Sequence, residues 1–172
     1  GTGRKRGTDG REIADCELLV IWGGNPVNTQ INVMHKFQQA KRSHGAKLVV
    51  IDPYRTDTAE KADLFLNLRP GTDGALACAV MHVLFEEDYA DWDYLEHYTD
   101  CPKELREHLK SRDPQWASEK TGLPVCQILQ FARLYGSTRK AFLRIGYGFT
   151  RSRNGATAMH AVTCLPAITG AW

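Results

Sequence analysis

The stretch Glu17-Leu18-Leu19-Val20-Ile21-Trp22-Gly23-Gly24-Asn25-Pro26-Val27-Asn28-Thr29 decides the fold. Its apolar run reads as a short, fully buried strand. A tight Gly-Gly-Asn-Pro turn follows, and a helix begins near Thr29. A strand that stops on two glycines and restarts as a helix can aim backbone N–H groups at a ligand phosphate. The run Lys47-Leu48-Val49-Val50-Ile51 repeats the signal and ends on Asp52-Pro53, where an acid could meet a ribose or a base. Arg69-Pro70-Gly71-Thr72-Asp73 is a third such exit. Together they point to a nucleotide-shaped ligand along one edge of a parallel sheet.

Working outward, Arg11 to Asp15 suggests a helical turn leading into the first strand. Ile31, Met34, Phe37 and Gln38 fall at helical spacing, and Gly45 is a natural helix stop. A short helix at 56–61 and a third strand at 64–68 follow. Thr72 is placed to cap a helix from Asp73 to about Glu87, with Leu76, Val80, Val83 and Leu84 inward. Connections this long exclude hairpins, so the alternation predicts a parallel sheet with right-handed crossovers.

Residues 88–121 change character, being acidic, aromatic and polar. Several short helices are expected there, broken by Pro102 and Pro114, with Trp92, Tyr94, Tyr98 and Trp116 as packing residues rather than a base-stacking platform. Pro124 starts a helix from Val125 to Tyr135 that Gly136 closes. A fourth strand at 140–145, the exit Gly146-Tyr147-Gly148 and a last helix at 154–169 complete the chain. The prediction is one α/β domain over 1–172. It is three-layered and Rossmann-like, with a mainly parallel sheet of about four or five strands, helices on both faces and a helical excursion at about 88–136.

The totals narrow the classes. The chain has 172 residues, 42% hydrophobic and 24% charged, with a net charge of +2. That length buries a sound core, and that charge does not argue for nucleic acid or an anionic membrane. Arg4-Lys5-Arg6 reads as a solvated lead-in. No run of 18 apolar residues is present, so no direct membrane insertion is expected. The cysteines (16, 78, 101, 126 and 164) are scattered without a C-x-x-C, which leaves no zinc or iron–sulfur motif in this stretch, and most read as buried small hydrophobes. His82 reads as a satisfied core or boundary residue, and no histidines are spaced as a metal pair. No G-x-S-x-G elbow and no complete active site is visible. With no initiator Met and an end at Thr169-Gly170-Ala171-Trp172, the chain is expected to be an excised piece of something longer.

Each exit also has a plainer explanation. Gly23 and Gly24 permit close backbone approach or positive φ, which any tight strand-to-helix turn needs as well. The pattern is neither G-x-G-x-x-G nor a Walker A loop, which speaks against a nicotinamide cofactor and against ATP or GTP hydrolysis. Asp52 could cap its own turn or accept hydrogen bonds from ribose hydroxyls or from guanine N–H groups. Arg55 and Thr56 could reach a phosphate. Asp73 could be a first-turn acid favoured by the helix dipole or a second ligand-facing carboxylate.

Three motifs in order carry a family resemblance: Trp22-Gly23-Gly24-Asn25-Pro26-x-x-Thr29, Asp52-Pro53-Tyr54-Arg55-Thr56-x-Thr58-Ala59-x-x-Ala62-Asp63, and Leu68-Arg69-Pro70-Gly71-Thr72-Asp73-Gly74-Ala75-Leu76. The chain resembles the molybdopterin oxidoreductases of the dimethyl sulfoxide reductase and formate dehydrogenase type from about Asp15 to Trp172. The resemblance implies a bis(molybdopterin guanine dinucleotide) cofactor with molybdenum or tungsten and two-electron redox chemistry at the metal. It implies that this piece cradles one guanine dinucleotide arm and does not turn over alone. Carried over residue by residue, the cofactor-facing set is Gly24, Asn25, Pro26, Thr29, Asp52, Pro53, Arg55, Gly71 and Asp73, with Gly148 and Thr150 added. No catalytic residue and no metal ligand is assigned within it. The implied partners are the remaining domains of the same polypeptide and electron-transfer subunits, and the resemblance leaves room for an iron–sulfur cluster elsewhere in the chain. The alternative is a free-standing nucleotide-binding or interaction domain without redox activity.

Overall fold

The structure, a computed structural model, describes residues 7–172; the basic Arg4-Lys5-Arg6 segment lies outside the described residues. Four parallel strands, β1 (Leu18–Trp22), β2 (Lys47–Ile51), β3 (Leu64–Leu66) and β4 (Ala141–Ile145), form one sheet in the order β3-β2-β1-β4. The helices are α1 (Pro26–Thr29), α2 (Ile31–His44), α3 (Asp73–Glu86), α4 (Trp92–Tyr98), α5 (Pro102–Leu109), α6 (Pro114–Thr121), α7 (Val125–Ser137) and α8 (Gly155–Ile168). Short 3-10 turns occupy Gly10–Asp15, Ala59–Lys61 and Phe149–Arg151. Among the described residues no helix is long and apolar enough to cross a membrane.

The period of two along each strand sends alternate side chains to two cores. Leu18, Val20, Trp22, Val49, Ile51 and Leu66 pack against the layer containing α3, α7 and α8. Leu19, Ile21, Leu48 and Val50 pack on the opposite face, with Val33, Met34 and Phe37 of α2 and Ile13 of the first 3-10 turn. Every residue of β1 is buried. Each such aliphatic side chain contributes roughly 1.5–3 kcal/mol on leaving water, so the central strand is held from both sides. The register aligns Trp22 with Ile51 and with Ile145, and Ile51 with Leu66. All four strands therefore end at one level, and Gly23, Asp52, Asn67 and Gly146 emerge together.

Several expectations need correction. Ile31 is 77% exposed, and the buried stripe of α2 is Val33, Met34, Phe37 and Ala40. Gln30, at φ −145° and ψ 64°, breaks α1 from α2 and turns Ile31 outward. The short helices expected over 88–121 are α4, α5 and α6, and Pro102 and Pro114 mark their boundaries as the first residues of α5 and α6, where a missing N–H costs nothing. Gly136 does not close α7 but lies inside it, where a Cβ would stand 2.5 Å from the Tyr89 ring. The helix expected over 56–61 is only the 3-10 turn Ala59–Lys61. Cys16 alone is fully buried; Cys78 and Cys164 are half-buried, and Cys101 and Cys126 are exposed. Trp92 and Trp116 pack against the core as expected, whereas Tyr98 is exposed. His82 is satisfied by the Leu109 carbonyl at 2.9 Å, and Gly45 ends α2 in the left-handed region at φ 66°.

Candidate functional site

The first exit is built by its neighbours. Gly23 has φ 67°, a conformation a side chain would strain. Its N–H donates to the Ile51 carbonyl at 2.9 Å, and the Gly146 N–H donates to the Trp22 carbonyl at 2.7 Å. The Gly148 N–H donates to the Gly23 carbonyl at 3.0 Å. The turns after β1 and β4 thus lie against each other, and a Cβ on Gly146 would fall 2.2 Å from the Gly23 oxygen. A Cβ on Gly148 would fall 2.7 Å from the same atom. These two glycines are explained by the protein's own backbone.

Gly24 is different. A Cβ there would meet nothing closer than 3.6 Å, which is ordinary contact, and its φ is not positive. The N–H groups of Gly24 and Asn25 have no hydrogen-bond partner among the described residues. The amides that follow are used internally: Val27 N–H donates to the Thr58 hydroxyl at 3.1 Å, and Asn28 and Thr29 N–H to the Asn25 carbonyl, both at 3.1 Å. The turn therefore offers two consecutive amides and the Asn25 amide NH2, while Asn25 Oδ1 accepts from Thr58 at 2.7 Å.

The second exit leans on the first. Thr58 is fully buried between them, and Asn28 donates to Asp57 at 2.6 Å. Asp52 is half-buried; its Oδ1 accepts the Tyr54 N–H at 2.8 Å, and its carbonyl accepts from Asn67 at 3.1 Å. Its second carboxylate oxygen has no partner among the described residues. Burial raises the Asp52 carboxyl above its ordinary value; the Tyr54 N–H opposes that shift, and the nearby Asp73 adds to it.

The remaining residues fall into two groups. Gly71, at φ 78°, and Pro53 shape their loops. The Gly71 carbonyl accepts from Asn154 at 2.8 Å, and the Ser152 hydroxyl donates to Asn154 Oδ1 at 3.0 Å. The Thr72 hydroxyl does not cap α3; it donates to the Arg69 carbonyl. Several side chains are already engaged. Thr29 donates to the Asn25 carbonyl at 2.8 Å and Thr150 to the Tyr147 carbonyl at 2.9 Å. Arg55 pairs with Glu60, and Pro26 is buried. Asp73 is 3% exposed and accepts the Trp22 indole N–H at 2.8 Å, so it braces β1 against α3.

Sequence reasoning passed over Thr58 and Trp22 as site residues. A large buried indole needs an acceptor, and that was the available signal for Trp22. Thr58 had none, since its partners lie at Asn25 and Val27. A cleft of about 320 Å³ runs along β4 between Cys16 and Trp172, beside the sheet rather than at the strand exits. Among the described residues no cluster of three His, Cys, Asp or Glu side chains could hold a metal ion.

A parallel sheet in the order β3-β2-β1-β4, with glycine-rich exits gathered beyond its carboxyl ends, defines a Rossmann-like α/β architecture. The profile of the molybdopterin oxidoreductases matches residues 6–172. The chain is 41% identical over 170 residues to a probable oxidoreductase, YoaE, of Bacillus subtilis, covering 99% of this chain and 25% of that protein. It is 33% identical over 195 residues to the dimethyl sulfoxide reductase DmsA of Haemophilus influenzae, covering 99% of this chain and 24% of that one. The solved acetylene hydratase of Pelobacter acetylenicus superposes with a TM-score of 0.80 at 26% identity, over 95% of this chain and 24% of that one. The chain belongs to the molybdopterin oxidoreductase family. It spans about a quarter of the length of these curated relatives.

Proposed function

We propose that this chain is the domain that holds one guanine dinucleotide arm of a bis(molybdopterin guanine dinucleotide) cofactor, within a longer two-electron oxidoreductase. The observation that carries the reading is the Gly24–Asn25 turn, which presents two amides without a protein acceptor beside a glycine that no protein atom requires. Close backbone approach with paired N–H donors suits a pyrophosphate. The open carboxylate oxygen of Asp52, one strand away, suits the hydroxyl or N–H donors of the guanosine end. Pro26, Pro53 and Gly71 hold the loops in shape; Thr29, Arg55 and Thr150 border the site with side chains bonded to the protein, Gly148 packs on the Gly23 carbonyl, and Asp73 stands behind the turn. The bound group would supply molybdenum or tungsten for the transfer of two electrons.

The remaining domains of the same polypeptide supply the second arm and the protein ligand of the metal. Any iron–sulfur cluster or electron-transfer subunit would belong to that larger assembly. The relatives' names include a sulfoxide reductase and a hydratase, which supports placing substrate choice outside this quarter of the chain. The length of those relatives favours this reading over a free-standing nucleotide-binding domain.

The test is metal and cofactor analysis of the full-length gene product, with oxidised pterin and released GMP quantified. Molybdenum or tungsten with about two guanine dinucleotides per metal is the expected result. A folded full-length protein with neither metal nor pterin, made in a cofactor-competent host, would overturn the proposal.

A further inference from the structure

Trp22 is the last residue of β1, immediately before the Gly23–Gly24 turn, and Asp73 is the first residue of α3, immediately after the Gly71–Thr72 loop. The two lie 51 positions apart in sequence, yet the indole N–H donates to Asp73 Oδ1 at 2.8 Å, with both residues buried. The indole is also held edge-on against Phe131 of α7 at 6.2 Å. Its own carbonyl takes the Gly146 N–H. One residue therefore touches the third exit through its side chain and the fourth through its backbone. Moving the indole would move the first exit, because Gly23 and Gly24 follow it without a break.

We infer that Asp73 is a positioning residue: through the Trp22 indole it sets the spacing between the Gly23–Asn25 turn and the Arg69–Thr72 loop, and so the width of the cofactor cleft. This rests on the cofactor-binding reading above. A carboxylate sealed behind an indole, with 3% of the residue exposed, is a poor partner for a solvent-side nucleotide. It is well suited to fixing the indole, because a buried N–H left without an acceptor is costly. The charge also explains why the brace is confined to the interior: an acid opened to the cleft would oppose an anionic pyrophosphate.

The experiment uses full-length, cofactor-loaded enzyme with Asp73→Asn, Asp73→Ala, Trp22→Phe and the double substitution Trp22→Phe/Asp73→Ala. Release of the pterin dinucleotide after dilution is followed by pterin fluorescence, and thermal unfolding is measured on the same samples. Asp73→Ala and Trp22→Phe are expected to release cofactor about tenfold faster than wild type. Asp73→Asn, which keeps an acceptor oxygen, restores wild-type release. The double variant is no faster than the quicker single variant, because both substitutions cut one link. If Asp73→Ala does not fold, Trp22→Phe and Asp73→Asn still decide the matter.

Unchanged release from loaded Trp22→Phe, with or without a loss of thermal stability, reduces the brace to a structural one and overturns the inference. Release from Asp73→Asn faster than from wild type overturns it as well. A wild-type enzyme that carries no pterin fails earlier, at the cofactor reading itself, and the two failures are thereby distinguished.

Discussion

The Thr58 hydroxyl donates to Asn25 Oδ1 at 2.7 Å and accepts the Val27 N–H at 3.1 Å, tying the loop after β2 to the turn after β1. Thr58 is fully buried, and its two partners in the turn are half-buried. Thr58→Val keeps the shape and removes both partners. It should lower the stability of the 172-residue chain by about 0.5–1.5 kcal/mol, the net contribution of a half-buried hydrogen bond. Thr58→Ser keeps the hydroxyl and should recover most of that loss. Urea unfolding of the two variants measures the difference, and equal midpoints would show that the hydroxyl does not hold the loops together.

Gly24→Ala and Gly146→Ala should behave oppositely. A Cβ on Gly146 collides with the Gly23 carbonyl at 2.2 Å, a backbone atom that cannot step aside, so Gly146→Ala should unfold or strongly destabilise the chain. A Cβ on Gly24 meets only ordinary contacts. Gly24→Ala should leave thermal unfolding of the chain within about 0.5 kcal/mol of wild type, while the full-length enzyme carrying it retains less pterin and GMP. Full cofactor content in Gly24→Ala would remove the main support for close backbone approach at this turn.

These pairs mark the limit of what a linear reading shows. The alternation of apolar runs and glycine stops is local, and it predicts the parallel sheet, the helix stop at Gly45 and the exits at one edge. The inward face of α2 keeps Met34 and Phe37 but not Ile31 or Gln38, because the break at Gln30 depends on two backbone angles that no residue type announces. Gly136 looks like a helix stop, and only the Tyr89 ring packed against it reveals its purpose. The bonds from Trp22 to Asp73 and from Thr58 to Asn25 cross 51 and 33 positions and leave no periodic trace. The family resemblance places Asp73 in the cofactor-facing set, and its carboxylate, 3% exposed, accepts the Trp22 indole N–H.

The cysteines should divide by exposure. Burial pushes the Cys16 thiol up to about 11, so it stays protonated at neutral pH and is a poor nucleophile. Cys78 and Cys164 are also raised by burial. Cys101 and Cys126 are exposed. Native chain treated with iodoacetamide should be labelled first at Cys101 and Cys126, and at Cys16 only after denaturation. Peptide mass mapping reads the order directly, and early labelling of Cys16 would mean that the 3-10 turn Gly10–Asp15 does not cover it.

Asp52 sets a pH dependence of definite sign. Burial raises its carboxyl above the ordinary 3.8, with a further push from Asp73 and an opposing pull from the Tyr54 N–H. An acid that holds its proton more tightly when folded adds to stability below its unfolded value. That contribution is lost as pH rises through the window up to the folded value. Asp52→Asn keeps an acceptor for Tyr54 and removes the charge. The variant should therefore gain on wild type as pH rises through the lower part of the range from about pH 3.5 to pH 7, with the gap constant above. Urea midpoints across that range measure it. The same variant in the full-length enzyme should lose cofactor, since an amide cannot accept from two parallel donors as a carboxylate does. Stability gained and cofactor lost in one substitution is what a site kept for a ligand should show. A gap that narrows with rising pH would mean instead that the Tyr54 N–H outweighs burial, and that Asp52 serves its own turn.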